Sequence, residues 1–577
     1  MVSSPLVVLD IETDGLDPTK IWVAVTKSLP GGETEVHYTP ASLAEALGGS
    51  RRVVGHNLIG YDLPVLERLW GLSVASQRVI DTLVLSRLGD PQRPGGHSLK
   101  AWGEQLGFPK GDYNDWSQCS EEMVKYCQQD VEVTERVYYA LLTELGDVLN
   151  SEAYTLEHEA QFIIQQQVRN GWLIDQRKAY QLLAKLKERQ YAIEEKVQAA
   201  FLPLPVFVKE VTPKYKKDGN FSTVGLKFLG DSWETVGGPF SRVDFPSFNL
   251  GSRQQIGRYL QYFGWRPECF TETGQAVVDE PTLSKVKDIP EAQLIAEYLL
   301  VQKRVAQVQS WLDAMDERDG RVHGAVKSNG TVTGRMTHSG PNMAQVPSGN
   351  SPYGPECREC WTVPDGYSLV GFDASSLELR MLAHYMGDEG FIHEILTGDI
   401  HKANQKLAGL ESRDKAKTFI YALIYGAGNA KLGSVVGGDK GHGERLKRRF
   451  FNNLPAFPNL RDRVSKKAQR GYLIGLDGRH VPVRSEHSAL NTLLQSAGAI
   501  VMKKALTTLD EYAKLWGITY NFVGNIHDEV QTEVKTSEAE KFGRLATSCI
   551  EAAGIHFNLN CPLAGEFKVG RDWSETH

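Results

Sequence analysis

The sequence predicts a multidomain protein of mixed α/β and α+β class. Three observations predict it. The chain has 577 residues, and at roughly 150 residues per domain it accommodates about four compact units. Short apolar runs alternate with helical stretches over 1–145, which is the α/β pattern. The C-terminal portion instead mixes long helices with a strand pair around 519–534, as α+β domains do.

The elements follow in chain order. Pro5 through Leu9 is a buried strand, and residues 150–200 read as long helices broken at Gly171. Residues 201–250 hold five Pro, five Gly and nine aromatics, with six basic against five acidic residues. That composition predicts an irregular or β-rich insertion. Ser252 to Gln255 spells the capping box S-x-x-Q, restarting a helix. A charged helical stretch around Glu291–Gln309 follows, then a Gly-, Asn- and Ser-rich segment from Gly320 to Pro352. A strand at Tyr367–Phe372, helices to about 470 and a helix at about 487–514 complete the pattern.

Composition excludes several classes. Hydrophobic residues make up 41% and charged residues 23%, which is ordinary for a globular chain and unlike a disordered or fibrous one. No apolar run reaches the ~18 residues of a membrane-spanning helix, and Met1 to Pro5 lacks the layout of a signal peptide. Seven scattered cysteines form no disulfide framework and point to a reducing compartment. Cys357 and Cys360 make one CxxC without a second ligand pair, so they read as two free thiols in a polar loop. The net charge is −7, yet residues 401–470 carry sixteen Lys/Arg against five Asp/Glu, a local excess of +11. Such a patch in an acidic protein points to a phosphate-rich partner.

The first chemical constellation is N-terminal. A strand ends in Asp10-Ile11-Glu12, and residues i and i+2 share one face. Two carboxylates on one face are tolerable when a divalent cation lies between them. Asn57-Leu58-Ile59-Gly60-Tyr61-Asp62 adds another acid, and Tyr126 with Asp130 sits at i,i+4 on one helix face. Four acids and a tyrosine suit two-metal phosphodiester hydrolysis, the tyrosine positioning or deprotonating the attacking water. The three segments, D-x-E, N-x₃-Y-D and Y-x₃-D, together resemble the DnaQ-like 3′–5′ exonuclease family. The resemblance implies an RNase H-like fold over 1–145, with Asp10, Glu12, Asp62 and Asp130 as metal ligands and Tyr126 orienting the water.

The second constellation spans the remainder. Val370 to Arg380 is a strand ending in Asp373, and His527-Asp528-Glu529 reads as a hairpin tip. Between them, Arg413, Lys417, Tyr421 and Tyr425 recur every fourth residue before Gly426. Steps of four advance a helix by about 400°, so the four side chains form a slowly turning stripe. Its cationic end suits a triphosphate and its phenolic end suits a sugar edge or a base. These segments resemble motifs A, B and C of the family A DNA polymerases. Thr333-Gly334-Arg335 with Pro341 to Pro347, and Asn491 to Ala499, look like that family's primer-binding and minor-groove segments. Gly398 to His401, Gly475 to Arg479 and His577 are similar to the replicative polymerases of short-tailed bacteriophages.

The resemblance implies a right-hand polymerase after the exonuclease. It places connector and thumb at 146–320 with the short insertion at about 201–250, the first part of the palm at 321–400, fingers at 401–470 and the second part of the palm at 471–577. It implies that Asp373, Asp528 and the Ala374 carbonyl hold two Mg²⁺, with Mn²⁺ as a substitute, and that Glu529 lies near the primer end. Arg413, Lys417 and His401 would grip the triphosphate of a dNTP, with Lys417 protonating the leaving group. Glu378 paired with Tyr421 would close the space beneath C2′ of the sugar, and Tyr425 would stack near the template base. Arg335, Gln495, Asn491 and His527 would contact primer-template DNA. Implied with this are proofreading at a second site, a location in the bacterial host's cytoplasm and no membrane partner. With no 5′-nuclease segment ahead of the exonuclease, primer removal is expected of another protein. Some relatives recruit host thioredoxin as a processivity factor through a thumb insertion. The short, nearly charge-balanced 201–250 argues against thioredoxin here and leaves a DNA-clamping loop or plain filler open; a replicative helicase stays open as a partner. Single-subunit RNA polymerases share the acids of motifs A and C, but Glu378 and the N-terminal acids favour DNA synthesis.

Overall fold

The computed structural model describes residues 6–220, 222 and 238–577. Pro5 and the middle of the 201–250 insertion, 223–237, lie outside the described residues. The chain divides into two compact units, Met1–Asp175 with Ala314–His577, and Gln176–Asp313. Residues 146–175, expected with the connector and thumb, therefore pack with the first unit.

The first unit opens on a five-stranded sheet of β1 (Leu6–Thr13), β2 (Ile21–Leu29), β3 (Thr34–His37), β4 (Arg52–Gly55) and β5 (Val79–Asp81), in the order β3-β2-β1-β4-β5. The central β1 runs antiparallel to β2 and parallel to β4. Alternation along β1 sends Val7, Leu9 and Ile11 to one core, with Leu63 and Leu66. Val8 goes to the other, against Cys127, Val131 and Leu141 of α1 (Glu121–Leu145). Each such burial contributes roughly 1.5–3 kcal/mol. Because Asp10 and Glu12 continue the face of Val8, they end up pointing at α1. Ser120 caps α1 by accepting from the Met123 amide at 3.1 Å. The helix α2 (Glu152–Asn170) then ends at Gly171, which has φ +62°.

The second unit begins with α3 (Gln176–Ala200). The expected β-rich insertion contains an antiparallel ribbon of β6 (Val206–Val211) and β7 (Phe240–Asp244). At α4 (Arg253–Tyr262) only half of the capping box forms. Ser252 accepts from the Gln255 amide at 3.3 Å, but the Gln255 side chain turns to the Asn249 amide at 2.8 Å instead of back to Ser252. The unit closes with α5 (Pro290–Asp313), joined to α3 by Arg189 donating to Glu297 at 2.7 Å.

The first unit resumes with the sheet that carries the second constellation. Its strands are β8 (Tyr367–Ala374), β9 (Tyr520–Ile526), β10 (Glu529–Lys535) and β11 (Gly565–Gly570), in the order β9-β10-β8-β11, all antiparallel. Around it lie α6 (Leu377–Met386), α7 (Ile400–Ala408), α8 (Arg413–Ile424), α9 (Lys440–Asn453), α10 (Ala456–Ala468), α11 (Ala489–Leu515) and α12 (Ala539–His556). One continuous core joins the sheet to these helices through Phe372, Leu379, Phe419, Phe450, Leu506 and Phe542. Cys357 and Cys360 are both buried at the end of the short helix Gly354–Glu359, not placed in a polar loop as the sequence suggested. Among the described residues, no helix is long and apolar enough to cross a membrane.

A buried polar knot ties the two halves of this unit together. Glu157 of α2 is fully buried and accepts from Arg479 at 2.6 Å and from Lys503 of α11 at 2.5 Å. Arg479 also holds Asp477, whose carbonyl accepts from the Ala153 amide at 3.2 Å.

Candidate active sites

The N-terminal acids converge. Asp10 and Glu12 lie on β1, Asp62 starts the helix Asp62–Trp70, and Asp130 faces them from α1. Burial and the charge of Asp130 push the Asp10 carboxyl up to about 7. Burial, Asp10 and Asp130 push Glu12 up to about 10. Asp62 is raised by burial and Asp10, and Asp130 rises to about 6 through burial, opposed by Lys110. Carboxylates that raise one another in this way share one small volume, which a divalent cation would relieve. The buried Asp130 Oδ1 has no hydrogen-bond partner among the described residues. That orphaned acceptor and the all-oxygen set of four acids fit a hard divalent cation.

Tyr126 stands one helical turn before Asp130, half-buried, and burial raises its phenol pKa. Three features escaped the sequence reading. Lys110 forms an ion pair with Asp130. The Cys127 thiol donates to Asp10 Oδ2 at 3.4 Å. Buried Asp81 accepts from the amides of Asn57 at 2.9 Å and Ile59 at 3.0 Å, fixing the turn that presents Asp62. No spacing rule links Lys110 or Asp81 to the acids, whereas Cys127 lies inside the Y-x₃-D segment itself.

The second group forms on the β8–β10 pair. Asp373 lies directly across from Glu529, and Asp528 precedes Glu529 in the tight β9–β10 turn, where His527 has φ +61°. The register therefore sets Asp528 beside Asp373, and burial together with Asp528 raises the Asp373 carboxyl. Ala374 ends β8 opposite Gly565. Glu529 is buried at the base, where it accepts from Trp573 Nε1 at 2.5 Å and Gln531 Nε2 at 2.7 Å and lies 2.9 Å from His577 Nδ1. Burial opposes its charge, but His577 holds it below the usual glutamate range. No sequence pattern marks Trp573 and His577 as partners of Glu529, because they reach it from the irregular segment beyond β11.

Beside the acids runs α8. Ser412 caps it, accepting from the Lys415 amide at 3.3 Å. Arg413 and Lys417 are exposed on its first turns, and Arg413 Nε donates to Asp399 at 2.8 Å. His401 is buried on α7, its ring centroid 6.4 Å from that of Tyr421, and burial with the charges of Arg413 and Lys417 lowers its pKa. The expected pairing of Glu378 with Tyr421 is not what the structure has. Glu378 accepts instead from Tyr425 Oη at 2.9 Å and from Arg335 at 3.2 Å. Tyr425 thus closes over Glu378, and Tyr421 lies behind it, ring centroids 6.3 Å apart. Asn491 and Gln495 sit one turn apart on one face of α11, half-buried, and the Asn491 Oδ1 has no hydrogen-bond partner among the described residues.

A family model described as DNA polymerase family A matches residues 239–575. The chain belongs to DNA polymerase family A. It is 35% identical to the DNA-directed DNA polymerase of Enterobacteria phage T3, over 99% of this chain and all of that one. It is also 35% identical to that of Escherichia phage T7, over 94% of each. The polymerase domain of Pol1 from M. smegmatis, solved in complex with DNA primer-template and dNTP, superposes with a TM-score of 0.79 at 19% identity, covering 99% of this chain and 95% of that one. DNA-directed DNA synthesis is the activity of this family, and the phage-type resemblance read from the motifs accords with the two phage relatives.

Proposed function

We propose that this family A polymerase extends a DNA primer on a template by two-metal nucleotidyl transfer and removes mispaired ends at a separate 3′–5′ nuclease site. The observation that carries the synthetic role is the register Asp373 opposite Glu529, which brings Asp528 to Asp373 beside the cationic start of α8. Two divalent cations, Mg²⁺ or Mn²⁺ in its place, would lower the pKa of the primer 3′-hydroxyl and offset the charge of the triphosphate and the leaving pyrophosphate. Asp373, Asp528 and the Ala374 carbonyl would hold them.

The chain's own groups do the rest. Arg413 and Lys417 grip the outer phosphates as charge-assisted donors, with Lys417 handing a proton to the leaving group. His401 lines that phosphate end. Glu378, pinned by Tyr425 and Arg335, is the wall against a 2′-hydroxyl. Asn491, Gln495 and His527 offer polar groups to the minor groove, where contacts check pair shape without reading sequence. At the second site Asp10, Glu12, Asp62 and Asp130 would hold the cations, and Tyr126 would orient the attacking water. The site of action would be the cytoplasm of a bacterial host, with primer-template DNA and dNTPs as partners.

Primer extension with Mg²⁺, dNTPs and rNTPs side by side tests this reading. Extension with dNTPs is expected, and a preference for rNTPs would refute it. Extension length per binding event, with and without thioredoxin, tests whether a processivity factor acts here; no effect is expected.

A further inference from the structure

The acid cluster at the N-terminal site already contains a cation. The Lys110 ammonium is ion-paired with Asp130 and stands 4.6 Å from the centroid of the Tyr126 ring, with its side chain only 24% exposed. The segment that carries it is fixed. The Gln129 side chain of α1 donates to the Pro109 carbonyl at 2.9 Å. A Cβ at Gly103 would come within 3.0 Å of the Lys110 amide, and one at Gly111 within 3.3 Å of the Tyr126 ring. One Asp130 oxygen is thus held by the ammonium, while the other, Oδ1, is buried and has no partner among the described residues.

Four carboxyl groups and one ammonium crowd a space that burial keeps poorly hydrated. A divalent cation that binds Asp130 through its open Oδ1 is repelled by the tethered ammonium on the other oxygen, and displacing that ammonium relieves the repulsion. The anchored backbone of 109–111 then keeps the displaced ammonium near the Tyr126 ring, where attraction to the ring face persists. We propose that Lys110 is a positioning residue of the nuclease site: it competes with divalent cations for Asp130 and, once displaced, holds Tyr126 in place against the reacting phosphodiester. This rests on the nuclease reading above. In that hydrolysis a water oxygen bonds to phosphorus and the P–O3′ bond breaks. One water proton ends on the freed 3′-oxygen, and a nucleoside 5′-monophosphate is released. Lys110 acts by charge alone and exchanges no proton.

The test is a Mn²⁺ titration of the full chain by calorimetry, paired with single-stranded DNA hydrolysis. Both are done in an Asp528→Ala background to weaken Mn²⁺ binding at the polymerase acids. Lys110→Met is expected to bind Mn²⁺ about 10-fold tighter and yet, at saturating Mn²⁺, to lose about 10- to 100-fold in kcat with little change in KM, the range typical of groups that orient a metal site. Lys110→Arg should restore most of both. Tighter binding with lower turnover is not what misfolding produces. Unchanged or weaker Mn²⁺ binding by Lys110→Met, or undiminished kcat, would overturn the proposal alone. Absence of hydrolysis in the parent chain would overturn the nuclease reading and this proposal with it.

Discussion

Tyr425 donates its phenol hydrogen to Glu378 at 2.9 Å, and Arg335 holds the other oxygen of the same carboxylate at 3.2 Å. A side chain gripped from both sides is a wall and not a flexible arm. Glu378→Ala should therefore weaken exclusion of ribonucleotides by about 10- to 100-fold, the scale of one lost contact in a selective pocket. Tyr425→Phe removes only one grip and should give a smaller loss. Competing dNTP and rNTP incorporation opposite one template base measures both, and equal discrimination in all three proteins would show that Glu378 is not the wall.

The two groups of acids sit on different sheets, so their activities should separate. Asp528→Ala is expected to reduce extension by ~100-fold or more while sparing 3′–5′ degradation, and Asp10→Ala to do the reverse, since each removes a ligand from one site only. Assaying both mutants on one labelled primer decides it. Loss of both activities in either mutant would contradict two independent sites.

What the sequence disclosed and what it hid divide along physical lines. Asp10 and Glu12 were legible because a strand's period of two fixes their common face, and the β9–β10 turn was legible because apolar runs flank His527 and Asp528. The pairing of Glu378 was not. A four-residue step turns a helix by about 40° beyond a full revolution, so whether Tyr421 or Tyr425 meets Glu378 depends on how α8 docks, which no local pattern records. Lys110 and His577 were hidden for a related reason. Each reaches its acid from a segment of irregular backbone, with no periodicity to carry the signal.

Acidity should stabilise the metal-free N-terminal site. Asp10, Glu12 and Asp130 have folded-state pKa values of about 7, 10 and 6, all above those of ordinary carboxyls. The folded state thus binds more protons than the unfolded one between about pH 4 and the raised values, and stability falls as pH rises through that window. With a chelator present, thermal unfolding of this region should shift up by roughly 2 °C or more from pH 8 to pH 6. Asp10→Asn should flatten the dependence, and Mg²⁺ at pH 8 should restore stability. A scanning-calorimetry profile flat in pH would show that burial and mutual repulsion do not raise these acids as described.

Arg479 is nearly inaccessible and bonds to both Asp477 and Glu157. Arg479→Met leaves the buried Asp477 carboxylate without its main partner, and removing one member of a buried ion pair costs about 3–5 kcal/mol. Denaturant unfolding should report a loss of that order. A loss under about 1 kcal/mol would mean that water reaches the knot.

Gly426 closes α8 and sets the direction of Tyr425. Its amide donates to the Leu423 carbonyl at 3.1 Å, and the next amide, Ala427, donates to Ala422 at 2.9 Å. These are the two bonds of a Schellman cap, which needs a left-handed residue at this position, and Gly426 has φ +76°. A Cβ there would also lie 2.7 Å from the His487 carbonyl oxygen, a backbone atom that cannot swing aside. Left-handed strain alone costs about 1–2 kcal/mol for an alanine, and the clash adds to it. The cheapest relief is to unwind the last turn of α8, which carries Tyr425 away from Glu378. Gly426→Ala should therefore raise the KM for dNTPs and weaken ribonucleotide exclusion while 3′–5′ degradation stays at the wild-type rate. Steady-state extension and degradation assays on the same preparation measure this. Unaltered dNTP kinetics would mean that the helix end, and with it the Tyr425–Glu378 bond, does not set the geometry of the nucleotide site.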